Sequence, residues 1–173
     1  MSRIILITGG ARSGKSRLAE EMAIKHGAPL GYLATGQSGD EEMAQRIARH
    51  RLRRGPDWQT IEEPLQLAEA IRGHDGYFRA MLLDCVTLWL TNLLLEYNDA
   101  GRVLADVEGL TGMFSELTTP LVLVSNEVGM GIVPENRLAR SFRDLSGEAN
   151  ELLAAAADEV YVMFSGLPLK LKG

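Results

Sequence analysis

Eight residues near the amino end have the types and the spacing of a phosphate-binding loop. They follow the pattern G-x-x-x-x-G-K-S and are Gly9, Gly10, Ala11, Arg12, Ser13, Gly14, Lys15 and Ser16. Glycines let backbone N–H groups converge on phosphate oxygens without a Cβ in the way, and a following helix adds partial positive charge at its N-terminus. In this pattern the lysine reaches the β- and γ-phosphates and the serine hydroxyl binds Mg²⁺. The alternative is a chance glycine turn.

A strand before the loop and a helix after it would position these groups, and the sequence predicts both. Residues 4–8 are a β-branched apolar run typical of a buried strand, and 15–26 have the pattern of a helix that stops at the Gly-Ala-Pro of 27–29. A second strand is predicted over 30–34. Because ligands of open α/β sheets bind beyond the carboxyl ends of strands, we expect nucleotide contacts from the residues there, which are Ala34, Thr35 and Gly36.

A carboxylate ends another apolar run, which covers residues 79–84 and closes with Asp84. In proteins with a phosphate-binding loop, such an acid lies beside the loop and holds Mg²⁺ directly or through water. The alternative is that Asp84 caps the next helix, which is predicted over 87–95. That helix is apolar on most of its surface, which indicates either core packing or a cover by another subunit.

A basic stretch surrounds one histidine in an otherwise acidic chain. Residues 40–54 are predicted to be helical, with Arg46, His50 and Arg54 on one face at i, i+4 spacing. One interpretation is a solvated face whose cations lie favourably near a helix C-terminus. The other is a polyphosphate clamp with His50 inside it, since the guanidinium fork matches phosphate oxygens. Spacing alone leaves both open.

Further strands and helices are predicted around these motifs. The strands are at 58–62, where an extended segment is the alternative, and at 120–124 and 158–164, and residues 169–172 alternate like an edge strand. The helices are at about 64–72, 101–117 and 134–157. The last one carries Arg137, Arg140 and Arg143 at i, i+3 spacing, which predicts a cationic face.

The segment before that last helix combines polar residues at 125–127 with a glycine-spaced run at 128–134. Polar groups at a strand end before a loop are typical of binding sites. Turn chemistry alone explains the same pattern, and the spacing does not decide between them.

Composition limits the class of function. The chain has 173 residues, which fit one domain, and its net charge of −5 comes from 18 basic and 23 acidic residues. This charge argues against a general binder of nucleic acid or of membrane surfaces. Cys85 is the only cysteine, which excludes an intramolecular disulfide and a cysteine-cluster metal site. With no apolar run of membrane-spanning length and no recognisable signal peptide, we expect a cytoplasmic enzyme.

The motifs occur in an order that resembles a known family. The matching positions are 9–16, 32–35, Glu42-Met43, Arg46-Ile47, His50, Trp58, Thr60, Glu62, 83–85, 91–94, 126–136, 139–140, 142–144 and 154–160. Together they are similar to the bifunctional adenosylcobinamide kinase/adenosylcobinamide-phosphate guanylyltransferases of cobalamin biosynthesis. The resemblance covers nearly the whole chain. Its most specific part is 126–136, because many nucleotide-binding proteins share the glycine loop.

The resemblance implies two reactions carried out by a single domain over 1–173. ATP or GTP phosphorylates the aminopropanol hydroxyl of adenosylcobinamide, and GTP then transfers GMP to that phosphate, releasing pyrophosphate and forming adenosylcobinamide-GDP. In the family, a histidine at the position of His50 is guanylylated as a covalent intermediate. Lys15 would also be catalytic, and Ser16 and Asp84 would hold Mg²⁺. The nucleotide contacts it implies are residues 9–16, Ala34, Thr35, Gly36, Arg51, Leu52, Arg53, Arg54, Glu62 and Asp84.

The resemblance also implies an α/β fold of the P-loop NTPase type. It predicts a RecA-like, mostly parallel sheet flanked by helices, with an antiparallel C-terminal edge strand, assembled as a homotrimer. Departures are small, since Asp84 stands where some relatives carry glutamate and Arg49 where some carry a second histidine. Two alternatives remain: another small-molecule kinase built on Lys15, Ser16 and Asp84, and a regulatory module that changes shape on binding GTP.

Overall fold

The computed structural model describes residues 3–36 and 54–173. Within these ranges, seven strands form one sheet in the order β3-β2-β4-β5-β1-β6-β7. The strands are β1 (Ile4–Gly9), β2 (Leu30–Ala34), β3 (Trp58–Glu62), β4 (Ala80–Asp84), β5 (Leu121–Val124), β6 (Glu159–Phe164) and β7 (Leu167–Lys172). Neighbouring strands are parallel except β7, which pairs antiparallel with β6. The mostly parallel sheet with an antiparallel C-terminal edge strand is therefore confirmed.

Helices cover both faces of the sheet, as parallel sheets require. In the described ranges they are α1 (Lys15–Ile24), α2 (Leu67–His74), α3 (Val86–Tyr97), α4 (Ala100–Gly112) and α5 (Arg137–Ala156). Helix α1 packs on the face that carries Ile5, Ile7 and Val124. The other four helices bury their apolar sides against the opposite face, which carries Ile4, Leu6 and Leu123. None of the helices in the described ranges is both long and apolar enough to cross a bilayer.

The register of the strands aligns their carboxyl ends. Glu62, Ala34, Asp84, Val124 and Ile7 form one lateral row across five neighbouring strands. Partners in one row of a sheet project to the same face, because side chains alternate with a period of two along each strand. Ile7 and Val124 pack on the α1 side. The two carboxylates of the row, those of Glu62 and Asp84, therefore also belong to the α1 face.

Two predicted helices begin three residues later than expected, and side chains explain both differences. Helix α2 begins at Leu67 because the Glu63 carboxylate accepts hydrogen bonds from the N–H groups of Leu65 (2.9 Å) and Gln66 (2.8 Å), which holds a turn there. Helix α5 begins at Arg137 because Asn136 is its N-cap, with Oδ1 accepting from the Ala139 N–H at 2.7 Å. Helix α4 ends at Gly112, and a separate 3₁₀ turn follows at Phe114–Glu116.

Helix α3 is largely a core element. Its Trp89, Leu90 and Leu93 are fully or almost fully buried, and the Trp89 indole N–H donates to the Leu65 carbonyl at 2.8 Å. Core packing was one of the two interpretations of this apolar helix, and it is confirmed for these residues. Leu95 is different, since it is 74% exposed.

The buried carboxylate of Glu159 stabilises the contact of the exposed edge strand β7 with the sheet. Glu159 on β6 is almost fully buried. Its Oε2 accepts from the Tyr161 hydroxyl at 2.5 Å and lies 3.0 Å from the Lys170 ammonium of β7, and its Oε1 pairs with Arg3. Burial by itself raises the pKa of Glu159, but the hydrogen bonds from Tyr161 and Lys170, with the charge of Arg3, outweigh this and lower the pKa below its usual value.

We expect Glu159→Gln to lower the free energy of unfolding at pH 7 by about 1–2 kcal/mol, because the amide weakens hydrogen bonds made to a charge. Since the folded-state pKa of Glu159 is lowered, its contribution is fully present above the unfolded-state value and is lost as the pH falls through the folded-state value. Urea denaturation at pH 7 and in acid measures both effects. The variant should lose less stability in acid than the wild type, and Glu148→Gln, an exposed site on α5, is the control. An equal loss in all three proteins would contradict this assignment.

Candidate functional site

The glycine loop connects β1 to α1 in the conformation that its sequence predicts. Gly9 ends β1 with φ at +142°, and Gly14 has φ at +100° as the residue before the first turn of α1. Two neighbouring strands hold the loop through its carbonyls. The Glu127 N–H, just beyond β5, donates to the Gly9 carbonyl at 3.1 Å, and the Gly166 N–H, just beyond β6, donates to the Ser13 carbonyl at 3.0 Å.

Lys15 is a nearly buried cation in this loop. Its side chain keeps about 7% of its exposure, and its Nζ donates to the Gly10 carbonyl at 2.5 Å. Burial lowers the pKa of Lys15 below its usual value, while the negative charges of Asp84 and Glu127 oppose that shift. The Ser13 hydroxyl is also buried and finds no hydrogen-bond partner among the described residues. A buried ammonium, an unsatisfied hydroxyl and a helix N-terminus at one point favour binding of an anion such as a phosphate.

Asp84 lies at the carboxyl end of β4 and is half-buried. The N-cap of α3 is Cys85, and within the described residues no side chain makes a capping hydrogen bond there. The interpretation of Asp84 as a helix cap is therefore wrong. Its negative charge acts instead on Lys15 and on the Tyr32 hydroxyl. This position suits the alternative, a carboxylate beside the phosphate-binding loop.

Thr35 connects the ends of β2 and β4. It is fully buried, and its Oγ1 donates to the Cys85 carbonyl at 2.7 Å and accepts from the Cys85 N–H at 3.1 Å. The Thr35 carbonyl accepts from the Asn92 side-chain amide at 2.8 Å. The hydroxyl of Thr35 thus holds the backbone next to Asp84, and half-buried Ala34 and Gly36 lie on either side of it. Contact of these three residues with a nucleotide stays a prediction.

A cleft with aromatic and cationic walls lies on the same face of the sheet. It measures about 380 Å³, and the described residues that line it are Arg54, Gly55, Trp58 and Thr60. The Arg54 guanidinium lies over the Tyr32 ring, 3.4 Å from its centroid, and its buried Nη1 has no hydrogen-bond partner among the described residues. Burial, with the nearby charge of Asp84, raises the pKa of Tyr32 well above its usual value, so its hydroxyl stays protonated. Glu62 lies on this face at the outer end of the row shared with Asp84.

Among the predicted site residues, the structure brings Asp84 close enough to Lys15 of the glycine loop for their charges to interact. It places Glu62 and Arg54 on the same face of the sheet. The predicted helix over 40–54 lies outside the described residues, except for Arg54. The predictions for His50, Arg51, Leu52 and Arg53 lie there too, as does the arginine clamp with Arg46. Their roles stay predictions.

A carboxylate that the sequence left undecided also belongs to this region. Glu127 follows β5, which runs between the strands that end at Asp84 and at the glycine loop, and its charge acts on Lys15. The only signal for it in the sequence was its place among polar residues at a strand end. Asn150 on α5 contacts the Asn126 carbonyl and the Glu127 carboxylate through its side-chain amide. No local pattern in the sequence predicts this role for Asn150.

Two arginines of the predicted cationic face of α5 donate hydrogen bonds to the backbone of the preceding loop. Arg143 donates through Nη2 to the Gly129 carbonyl at 2.6 Å, and Arg140 donates through Nη1 to the Glu135 carbonyl at 2.5 Å. Two of the three arginines therefore hold the loop before their own helix.

Gly9→Ala and Gly10→Ala form a matched test of the loop. A Cβ at Gly9 would lie 2.7 Å from the Met163 carbonyl oxygen and would need a disfavoured positive φ, whereas a Cβ at Gly10 meets nothing within 4 Å. Without nucleotide, we expect Gly9→Ala to lower the free energy of unfolding by about 1–4 kcal/mol and Gly10→Ala to change it by less than about 0.5 kcal/mol. Urea denaturation measures both values, and equal effects would mean that the loop backbone is misplaced.

Comparison with known proteins agrees with this geometry. A family described as cobinamide kinase / cobinamide phosphate guanyltransferase matches residues 5–171. The chain is 48% identical over 168 residues to the bifunctional adenosylcobalamin biosynthesis protein CobP of Pseudomonas aeruginosa, covering 97% of this chain and 96% of that protein. It is 44% identical over 181 residues to the bifunctional adenosylcobalamin biosynthesis protein CobU of Escherichia coli, covering 98% and 99%.

A solved structure shows the same fold at low sequence identity. The flagellar accessory protein FlaH from Methanocaldococcus jannaschii matches with a TM-score of 0.57 and 16% identity, over 98% of this chain and 78% of that one. The predicted P-loop NTPase fold is confirmed. With the family match over nearly its full length, the chain belongs to the cobinamide kinase / cobinamide phosphate guanyltransferase family.

Proposed function

We propose that this protein phosphorylates the aminopropanol hydroxyl of adenosylcobinamide with ATP or GTP and then transfers GMP from GTP to the new phosphate. The products of the second reaction are adenosylcobinamide-GDP and pyrophosphate. The observation that carries the proposal is the nearly buried Lys15 ammonium in the glycine loop, with Asp84 beside it, in a chain of this family. One domain over 1–173 carries both reactions, in the cytoplasm, where both triphosphates are made.

In the kinase reaction the glycine loop binds the triphosphate. Its N–H groups and the N-terminus of α1 hold the phosphate oxygens, and Lys15 neutralises charge on the β- and γ-phosphates. Within the described ranges, no group of three or more His, Cys, Asp or Glu side chains could hold a metal ion. Ser16 and Asp84 are oxygen donors of the kind that Mg²⁺ accepts together with phosphate oxygens. When bound there, Mg²⁺ would neutralise charge that develops on the phosphates.

In the transferase reaction His50 is the nucleophile. Its neutral imidazole forms a bond to the α-phosphorus as the bond to pyrophosphate breaks, and the phosphate of the acceptor then displaces the imidazole. Arg54 supports this proposal, since the one described residue of the basic stretch lies over Tyr32 on the face of the phosphate-binding loop. Neighbouring cations disfavour protonation of an imidazole and neutralise departing pyrophosphate. Arg51, Leu52, Arg53 and Glu62 complete the proposed nucleotide contacts.

The proposed assembly is a homotrimer, as the family resemblance implies. Leu167, Leu169 and Leu171 support association of copies, since they alternate along the edge strand β7 and are all more than half exposed. Apolar side chains arranged in this way favour a covered surface. The molar mass from light scattering tests the proposal.

Incubation with GTP labelled on the α-phosphate tests the transferase reaction. We expect an acid-labile, alkali-stable label on the wild type and none on His50→Ala, because a phosphoramidate has this stability. The variant should still phosphorylate adenosylcobinamide. His26→Ala, at an exposed site after α1, is the control and should be labelled normally. A folded His50→Ala protein that loses both activities would assign His50 to general binding. An unlabelled but active wild type would favour a different phosphate-loop kinase.

Lys15→Ala tests the kinase reaction. We expect kcat/KM for phosphorylation to fall by about 10²–10³-fold, as when one donor to a developing anion is removed. Lys25→Ala removes an exposed lysine just after α1 and should leave the rate unchanged. A near-normal rate for Lys15→Ala in a steady-state assay would remove the role assigned to the loop.

A further inference from the structure

Glu127 lies against the phosphate-binding loop, just beyond the strand that stands between that loop and Asp84. Its N–H donates to the Gly9 carbonyl at 3.1 Å, and its negative charge acts on the Lys15 ammonium. Strand β5, which leads into Glu127, separates β4 from β1. Lys15 is thus approached by one carboxylate at the end of β4 and by another just beyond β5.

A buried amide network sets the position of Glu127. The Asn150 Oδ1 accepts from the fully buried Ser125 hydroxyl at 2.6 Å, which turns the Asn150 NH₂ group towards the loop. That NH₂ donates to the Asn126 carbonyl at 3.1 Å and lies 3.4 Å from the Glu127 Oε1. The Asn126 N–H in turn donates to the Thr87 hydroxyl at 2.9 Å. Glu127 therefore projects from a backbone held by α3 and α5.

A fixed carboxylate at this place needs an explanation. Its charge acts on Lys15, which places it near the proposed triphosphate, and a carboxylate there repels phosphate oxygens unless it binds a metal ion or takes up a proton. It is half-buried, so a substrate can reach it. In phosphoryl transfer, a carboxylate commonly orients the attacking hydroxyl and receives its proton. None of the groups placed above in the kinase reaction does this.

An apolar surface continues from Glu127 along residues 128–138. This segment comprises the loop before α5 and the first two residues of that helix, and is here called the acceptor loop. Ile132 is 96% exposed and Met130 is 69% exposed, and Val133 and Leu138 are also mostly exposed. Apolar side chains concentrated on one exposed loop mark a binding surface. The hydrogen bonds from Arg143 and Arg140 to carbonyls of this loop stabilise its conformation. The surface is therefore both preformed and attached to the residue that faces the phosphate site.

We propose that the acceptor loop binds the corrin ring of the acceptor through its apolar side chains, and that Glu127 receives the proton of the acceptor hydroxyl. This inference rests on the proposed kinase function and adds the acceptor side of its site. A corrin ring is large, flat and rich in methyl groups, which suits an exposed apolar surface next to the phosphates. The alternative is that a second copy of this chain covers the same loop, and the test below distinguishes the two.

The proposed step is balanced. The acceptor oxygen forms a bond to the γ-phosphorus while the bond from that phosphorus to the β,γ-bridging oxygen breaks. The nucleoside diphosphate leaves with the electron pair of the broken bond. The hydroxyl proton passes to the Glu127 carboxylate and then to water as the product leaves. The second reaction has no hydroxyl proton to remove, because its nucleophiles are the neutral imidazole of His50 and then a phosphate oxygen of the acceptor.

Glu127→Gln tests the proton transfer. We expect kcat for phosphorylation of adenosylcobinamide to fall by about 10²–10⁴-fold, with the KM values of triphosphate and acceptor changed little. GMP transfer to preformed adenosylcobinamide phosphate should stay at the wild-type rate. Glu148→Gln, at an exposed site on α5 outside the acceptor loop, is the matched control and should keep both activities.

Other results for Glu127→Gln overturn the proposal. An unchanged kinase rate, an equal loss of both activities, or a normal rate restored by more Mg²⁺ would each assign Glu127 to another role. A wild type that does not phosphorylate adenosylcobinamide would instead refute the proposed function itself. The two failures are therefore distinguishable.

Ile132→Asn tests the binding surface. We expect the KM for adenosylcobinamide to rise by about tenfold, with no change in the KM for the triphosphate. Ile24→Asn, at an exposed site at the end of α1 away from the glycine loop, is the control and should change neither value. A changed molar mass in light scattering with an unchanged KM would assign the loop to contact between copies of the chain, and an unchanged mass and KM would also overturn the proposal.

Discussion

Lys15 is a nearly buried lysine at the carboxyl edge of the sheet, and the groups around it offset the cost of burying its charge. Burying a cation is expensive unless it is paired, and the pKa of Lys15 is lowered accordingly. The Gly10 carbonyl and the charges of Asp84 and Glu127 compensate only in part. A polyphosphate supplies the missing negative charge, so the same burial that weakens the free protein strengthens binding of the nucleotide.

The register of the strands sets the positions of these charged groups. Glu62, Ala34 and Asp84 lie in one row, and the Thr35 hydroxyl fixes the Cys85 backbone at the end of that row. The glycine loop receives a hydrogen bond from beyond β5 and another from beyond β6. Because every anchor is either a strand end or bonded to one, the positions of the charged groups depend on strand order. A site fixed in this way is suited to phosphoryl transfer, where catalysis consists mostly of positioning and charge stabilisation.

The two proposed reactions use two different regions of the molecule. In the proposed mechanism, phosphorylation uses the glycine loop, Asp84 and the segment after β5, all of which belong to the described sheet edge. Guanylyl transfer would use His50 and the arginines near it, and of that stretch Arg54 lies on the face that carries α1 and the loop. A single triphosphate-binding site can serve both proposed reactions in turn, each with its own triphosphate molecule, because attack at the γ-phosphorus and attack at the α-phosphorus use different nucleophiles and the same anchor.

The sequence alone determined the features that contiguous residues encode. The glycine loop, the strand before it, the helix after it and the acid at the end of β4 were all predicted, because backbone preference and hydrophobic period act over a few neighbouring residues. The parallel sheet and its antiparallel edge came from the family resemblance, and the structure confirms them. Tertiary structure decided what depends on distant partners. It showed that Asp84 does not cap α3, and that Thr35 binds the Cys85 backbone 50 residues away. It also brought Asn150 to Glu127, and it turned Arg140 and Arg143 towards loop carbonyls. These contacts follow from strand order and helix packing, which no local pattern contains.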